Sequence, residues 1–252
     1  HRYAAAILVL LSFAAAVLIL HQRKLAQQPV LLATLLLMLL FWQGLLGKWT
    51  VTLRLHPLVV MSHLLGGFAL LSVLWLLLLR LKPFHIPACT SQEEKLRPWA
   101  ILGLLFIILQ ISIGGWTSAN YAAFVCTDFP MCQGQWWPPM NFSAGFHLSF
   151  NAEQNYEGGV LSTTARTAIQ MSHRLGALIT TSYLACLIYK LFGTRQGSLL
   201  RRIGLILLLL LIIQISLGAL NVLWALPLLI AMAHNAVAAL LLLSLITLNI
   251  YL

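Results

Sequence analysis

Apolar residues run along this chain in seven long stretches, about 3–20, 29–47, 58–80, 99–118, 166–189, 203–222 and 228–252. Each comes close to the ~20 residues that cross a bilayer core. The breaks between them are short and polar, apart from one of about 45 residues that begins near 119. A backbone in lipid must close its own hydrogen bonds, so the pattern predicts an all-α, polytopic membrane helical bundle with seven transmembrane helices. No cleavable signal pattern is visible and the first residue is His, so the chain is expected to begin inside a longer protein.

Composition sharpens this. A chain that is 61% hydrophobic and only 8% charged is not a soluble domain. Its net charge of +10 is topological, because ten of the fifteen Lys and Arg residues fall at one set of helix ends: Arg23, Lys24, Arg80, Lys82, Lys95, Arg97, Lys190, Arg195, Arg201 and Arg202. Basic residues collect on the cytoplasmic side, which puts 81–98 inside and 119–164 outside. No basic patch occurs away from helix ends, so nucleic acid is not an expected partner; the bilayer is.

Histidine is the recurring polar residue within the apolar runs. His63, His173 and His234 lie inside three of them and His1 heads another, in the same His-Arg pairing as His173-Arg174. An ionisable ring in hydrocarbon points to a functional site, although a ring bonded to a neighbouring helix is the plainer alternative. His1 and His63 are 62 positions apart and His173 and His234 are 61 apart. Gln43-x3-Gly47 precedes His63 as Gln214-x3-Gly218 precedes His234. The halves therefore repeat in parallel, and the helix at 99–118 has no counterpart upstream of His1.

Alternation of helix direction brings all four histidines to the outer third of the bilayer. Zinc suits this poorly, since no Cys or carboxylate accompanies them at that depth. Heme suits it better, with one heme between His1 and His63 and another between His173 and His234. Gln43, Gln110 and Gln214, each four positions before a glycine, read either as small-residue helix packing or as room for a porphyrin edge. Arg2, Arg54, Arg166 and Arg174 lie near the outer surface, where they can anchor headgroups or meet propionates. Cys126 and Cys132, on the oxidising side, read as a structural or redox-active disulfide ahead of free thiols or a metal site. Trp136-Trp137-Pro-Pro and that cysteine pair are the candidates for ordering the long loop. Cys186 reads as a buried apolar filler, and His21, His85 and Cys89 as loop residues without special role.

On these residues the chain resembles the heme A synthase family, integral membrane enzymes that convert heme O to heme A for cytochrome oxidases. The matching segments are Gln110-Ile-Ser-Ile-Gly-Gly-Trp-Thr117, Cys126-x5-Cys132, Gln170-Met-Ser-His173-Arg174-x-Gly176, Met232-Ala-His234-Asn235 and the opening His1-Arg2. The resemblance implies eight helices in two pseudo-symmetric four-helix halves, with the first helix absent here. The halves would be 1–82 and 99–252, joined by a cytoplasmic linker at 83–98, with the outer loop 119–164 in the second.

The resemblance also implies an oxidoreductase that takes a methyl group of heme O through an alcohol to the formyl group of heme A. His1 and His63 would hold the substrate heme, and His173 and His234 a heme b cofactor, with Arg2, Arg174 and the three glutamines around them. Molecular oxygen or water and an electron donor would take part, and the heme O synthase is a candidate partner. The family's glutamate three residues before its first His-Arg precedes the start of this chain; the equivalent place in the second half is Gln170, which cannot ionise. The implied location is the bacterial inner (plasma) membrane, or the mitochondrial inner membrane in a eukaryote, with the heme sites toward the outer face and oligomer formation open. The residues alone equally allow a bis-histidine diheme electron-transfer protein. A transporter with repeated halves fits less well, since no charge or broken helix falls at mid-depth.

Overall fold

The computed structural model describes residues 2–25, 28–81, 90–148, 151, 153–194 and 198–252. His1, Lys82, His85, Cys89 and Arg195 lie outside the described residues, as does the side chain of Arg2. In chain order the helices are α1 (Arg2–His21), α2 (Val30–Thr52), α3 (Pro57–Leu81), α4 (Ser91–Glu94), α5 (Arg97–Ala119), α6 (Phe142–Gly145), α7 (Thr163–Phe192), α8 (Leu199–Leu223) and α9 (Leu228–Tyr251). A single 3-10 turn covers Ala122–Val125. All but α4 and α6 are long and apolar enough to span a bilayer. The protein is a polytopic helical membrane protein.

Helix ends follow local chemistry. Ser162 and Ser198 cap α7 and α8 by accepting from the N–H groups of Ala165 and Arg201. Pro57 opens α3 and Pro98 stands in the first turn of α5, where no N–H is needed. α2 runs past the expected end at residue 47 to Thr52, and in this last stretch Thr50 and Thr52 satisfy their hydroxyls on the carbonyls of Gly47 and Lys48.

The connections α2–α3 and α8–α9 have one shape. Arg54 and Leu55 in the first, and Ala225 and Leu226 in the second, take left-handed conformations with φ between 46° and 61°. The Leu55 N–H donates to the Thr50 carbonyl at 2.9 Å, and the Leu226 N–H to that of Asn221 at 2.8 Å. Neither turn contains glycine, so each holds ~1–2 kcal/mol of strain per left-handed residue for the sake of a tight reversal.

α5, α7, α8 and α9 pack neighbour to neighbour into a closed ring. Leu184, Leu187, Leu191, Leu207, Leu241 and Leu245 fill it at the end away from the long loop. α1, α2 and α3 follow one another, and α3 lies against α5 and α9. Trp75 Nε1 donates to Thr247 Oγ1 at 2.8 Å between α3 and α9, and within the ring Asn249 Nδ2 of α9 donates to the Ala100 carbonyl of α5 at 3.1 Å. Faces outside the contacts are as apolar as those within, as on α8 at Leu205, Leu209 and Ile212. Lipid is the solvent that permits this.

The cysteine pair orders the long loop as expected, through a Cys126–Cys132 disulfide, but the tryptophan pair does not. Trp136 and Trp137 project outward, 70% and 65% exposed. Further order comes from α6, which sits on α7, with the Asn141 N–H on the Thr164 carbonyl. Buried Trp116 donates from Nε1 to the Gly145 carbonyl at 2.9 Å. A Cβ on Gly145 would lie 2.7 Å from the Ala165 carbonyl oxygen, so only glycine permits this approach. Cys186 also departs from expectation: it is exposed on the outer face of α7, because the ring interior is taken by Leu184, Leu187 and Ile188.

Candidate functional site

Three helix pairs carry the polar residues that matter, and they are built alike. On α2, α5 and α8 a glutamine, a glycine and a small polar residue share one face at i, i+4 and i+7: Gln43, Gly47, Thr50; Gln110, Gly114, Thr117; Gln214, Gly218, Asn221. Each glycine faces the histidine of the partner helix. A Cβ on Gly47 would stand 3.4 Å from Cε1 of His63, on Gly114 3.0 Å from that of His173, and on Gly218 3.2 Å from that of His234. Each of these glycines leaves room for the edge of an imidazole. The glutamines differ in what they touch. Gln110 Nε2 lies 3.0 Å from His173 Nδ1, and Gln214 Nε2 lies 3.2 Å from His234 Nε2. Gln43 Nε2 is buried without a partner, as is His63 Nδ1.

His173 and His234 meet in one cavity of about 400 Å³ inside the ring, at the long-loop end, together with Gln110, Gln214 and Arg174. His63 and Gln43 are not part of it; they sit between α2 and α3, and α3 contributes Leu64 and Phe68 to the wall. Apolar side chains line most of the remainder. Its size is typical of small-molecule sites. The Oε1 atoms of Gln170 and Gln214 and Oδ1 of Asn221 are buried along it without a hydrogen-bond partner. Two imidazoles on one cavity with mostly apolar walls fit a flat apolar macrocycle whose metal the two rings would hold. Among the described residues, no three His, Cys, Asp or Glu side chains converge as an alternative metal set.

Arg174, expected to meet propionates or headgroups, is turned to the loop. It donates from Nη1 to the carbonyls of Pro130 and Met131 at 3.1 and 2.7 Å, and from Nη2 to that of Asp128 at 3.0 Å. Those carbonyls belong to a small ring closed by the Cys126–Cys132 disulfide. Asp128 braces the ring from within, accepting from the N–H groups of Gln133 and Gly134 at 2.7 and 2.9 Å. The Gly134 N–H, aided by those of Gln133 and Asp128 itself and by the nearby Arg174 charge, holds its carboxyl below the usual carboxylate range, against an opposing effect of burial second in size only to the Gly134 bond. Gln133 Nε2 reaches Thr167 Oγ1 on α7 at 3.1 Å. Phe129, at the tip, lines the cavity with its ring 5.8 Å from the Arg174 guanidinium carbon. The disulfide loop therefore roofs the site. Arg54 likewise serves the loop, donating to the Glu153 carbonyl at 3.0 Å, while Arg166 Nε is buried without a partner.

Asn221 was not singled out from the sequence, and Gln170 was noted only as unable to ionise. The i+7 position after each Gln-x3-Gly was the available signal for Asn221.

The COX15-CtaA family, described as cytochrome oxidase assembly protein, matches residues 1–246. The chain belongs to this family. It is 48% identical over 215 residues to the heme A synthase of Shewanella oneidensis, covering 85% of this chain and 64% of that protein. It is 28% identical over 246 residues to the heme A synthase of Neorickettsia sennetsu, covering 96% of this chain and 70% of the relative. That of Caulobacter vibrioides is 26% identical over 209 residues, covering 79% and 56% of the two chains. The chain thus spans just under two thirds of the length of the Shewanella relative.

Proposed function

We propose that this chain carries the activity for which its relatives are named: heme A synthesis, the oxidation of a methyl group of heme O to the formyl group of heme A. The observation that carries the reading is the meeting of His173 and His234 across one buried, mostly apolar cavity. The chain would work as two halves, 1–82 and 99–252, about the linker at 83–98. In the second half His173 and His234 hold heme b. His63, with His1, holds heme O, and their half is where the substrate reacts. Bound heme supplies the redox chemistry, with oxygen or water as the oxygen source and an electron donor completing the cycle. The chain's own residues orient the rings, exclude water and roof the site. The enzyme would lie in the bacterial inner membrane, and the basic helix ends support a long loop outside with both sites toward that face. The heme O synthase is the natural supplier of the substrate.

The test is heme analysis of purified full-length protein made with and without heme O supply. His173→Ala or His234→Ala should remove the tightly held heme b and lower heme A secondarily. His63→Ala should abolish heme A while heme b survives in the absorption spectrum. If His63→Ala still forms heme A at the normal rate, or if heme O given with reductant and oxygen is never altered, a bis-histidine electron carrier is the better reading.

A further inference from the structure

We propose that Gln110 is a positioning residue for His173, setting which ring nitrogen faces the cavity; the inference rests on His173 and His234 being the ligands of heme b. Gln110 makes two contacts to one residue: Nε2 is 3.0 Å from the ring Nδ1 and donates to the His173 main-chain oxygen at 3.0 Å. Two bonds fix the plane of the amide as well as its distance. One turn along α5, Gly114 leaves the ring room to lie against the helix. The fit is reciprocal, since a Cβ on Gly176 of α7 would collide with Oε1 of Gln110. Gln110 and Gly114 on one helix, and His173 and Gly176 on the other, close into a four-residue lock.

The lock holds the δ side of the imidazole and leaves Nε2 as the nitrogen to ligate. Gln43, Gly47, His63 and Gly66 pack in the same way between α2 and α3, but in neither of the other two pairs does the glutamine reach Nδ1. Gln214 is bonded to Nε2 of His234 while Nδ1 is buried without a partner, and His63 Nδ1 has none either. His173 is therefore the member of the pair whose Nε2 is free of its glutamine, whereas His234 would exchange Gln214 for iron. The amide N–H on Nδ1 puts the ring proton on Nε2 in this structure; with Nε2 given to iron the proton would sit on Nδ1, and Gln110 would turn its amide to accept it through Oε1, giving up both Nε2 bonds. Partners of this kind orient a ligating ring and raise its basicity.

The experiment uses the purified full-length protein with heme b and reads two quantities, the rate of heme loss to an excess of apomyoglobin and the midpoint potential of the bound heme. Gln110→Leu should lose heme b about tenfold faster or more, the usual consequence of deleting such a partner. Gln110→Glu keeps an acceptor at Nδ1–H; it should retain heme at a rate near the wild type and lower the midpoint potential, because a carboxylate makes the imidazole a stronger donor. A purely packing role predicts that Glu is as harmful as Leu and that the potential of retained heme does not move. Should Gln110→Leu fail to fold, Gln110→Glu still decides through its potential. Unchanged loss and potential in both variants, with heme b present in the wild type, overturn the proposal alone. A wild type whose heme b is unaffected by His173→Ala overturns the ligand assignment beneath it.

Discussion

Arg174 donates to the carbonyl oxygen of Met131 at 2.7 Å, so the residue beside His173 is the anchor of the disulfide loop. Arg174→Met should loosen residues 126–134 by ~1.5–3 kcal/mol, the worth of charge-assisted bonds, while the helices stay folded. Arg174→Lys should fall between, because an ammonium cannot fork across three carbonyls. Hydrogen exchange by mass spectrometry checks this, and wild-type protection over 126–134 in Arg174→Met would refute the anchoring role.

Replacing Cys126 and Cys132 together by Ser should cost about 2 kcal/mol of loop stability by the chain-entropy argument for so short a ring. Peptide mapping of non-reduced protein should recover the two cysteines linked, with Cys186 free to alkylate.

Asp128 gives the loop a pH dependence. Its carboxyl is held below the usual value near 4, so the bracing is complete above that value and is lost as pH falls through the lower folded value. Exchange over 126–134 should therefore rise in acid, and Asp128→Asn should remove the acid-induced part. A pH profile identical in the variant would assign the change elsewhere.

Gly145 and Gly67 make a matched pair. A Cβ at Gly145 meets main chain that cannot swing aside, whereas at Gly67 nothing lies within 4 Å. Gly145→Ala should destabilise the loop by ~1–3 kcal/mol through overpacking, and Gly67→Ala should be neutral or slightly stabilising. Thermal unfolding in detergent separates them.

The histidines were legible because each stands alone as a polar ring in an apolar run, and seven helices were legible from span length. The partners were not. That Gly114 makes room for His173 depends on the register between α5 and α7, which spacing within one helix cannot reveal. Arg174 sits near a surface in the sequence, yet carbonyls forty positions earlier decide its direction. Left-handed Arg54, Leu55, Ala225 and Leu226 carry no local signal, since none is a residue that favours that conformation.

Orientation is testable without heme. With single cysteines at Glu94 and Ser143, an impermeant maleimide should label Ser143→Cys from outside intact cells and Glu94→Cys only after lysis. Equal labelling of both from one side would refute the expected topology.

The paired turns at 54–55 and 225–226 act as phase references. His63 and His234 each follow the second left-handed residue by eight positions, so turn length sets the azimuth of the imidazole about its helix axis. One residue inserted between Leu55 and Pro57 would leave α3 helical but advance every downstream side chain by ~100°. His63 would swing away from Gly47 toward a different quadrant. The strain stored in each hairpin thus maintains angular registration of a histidine more than two helical turns away.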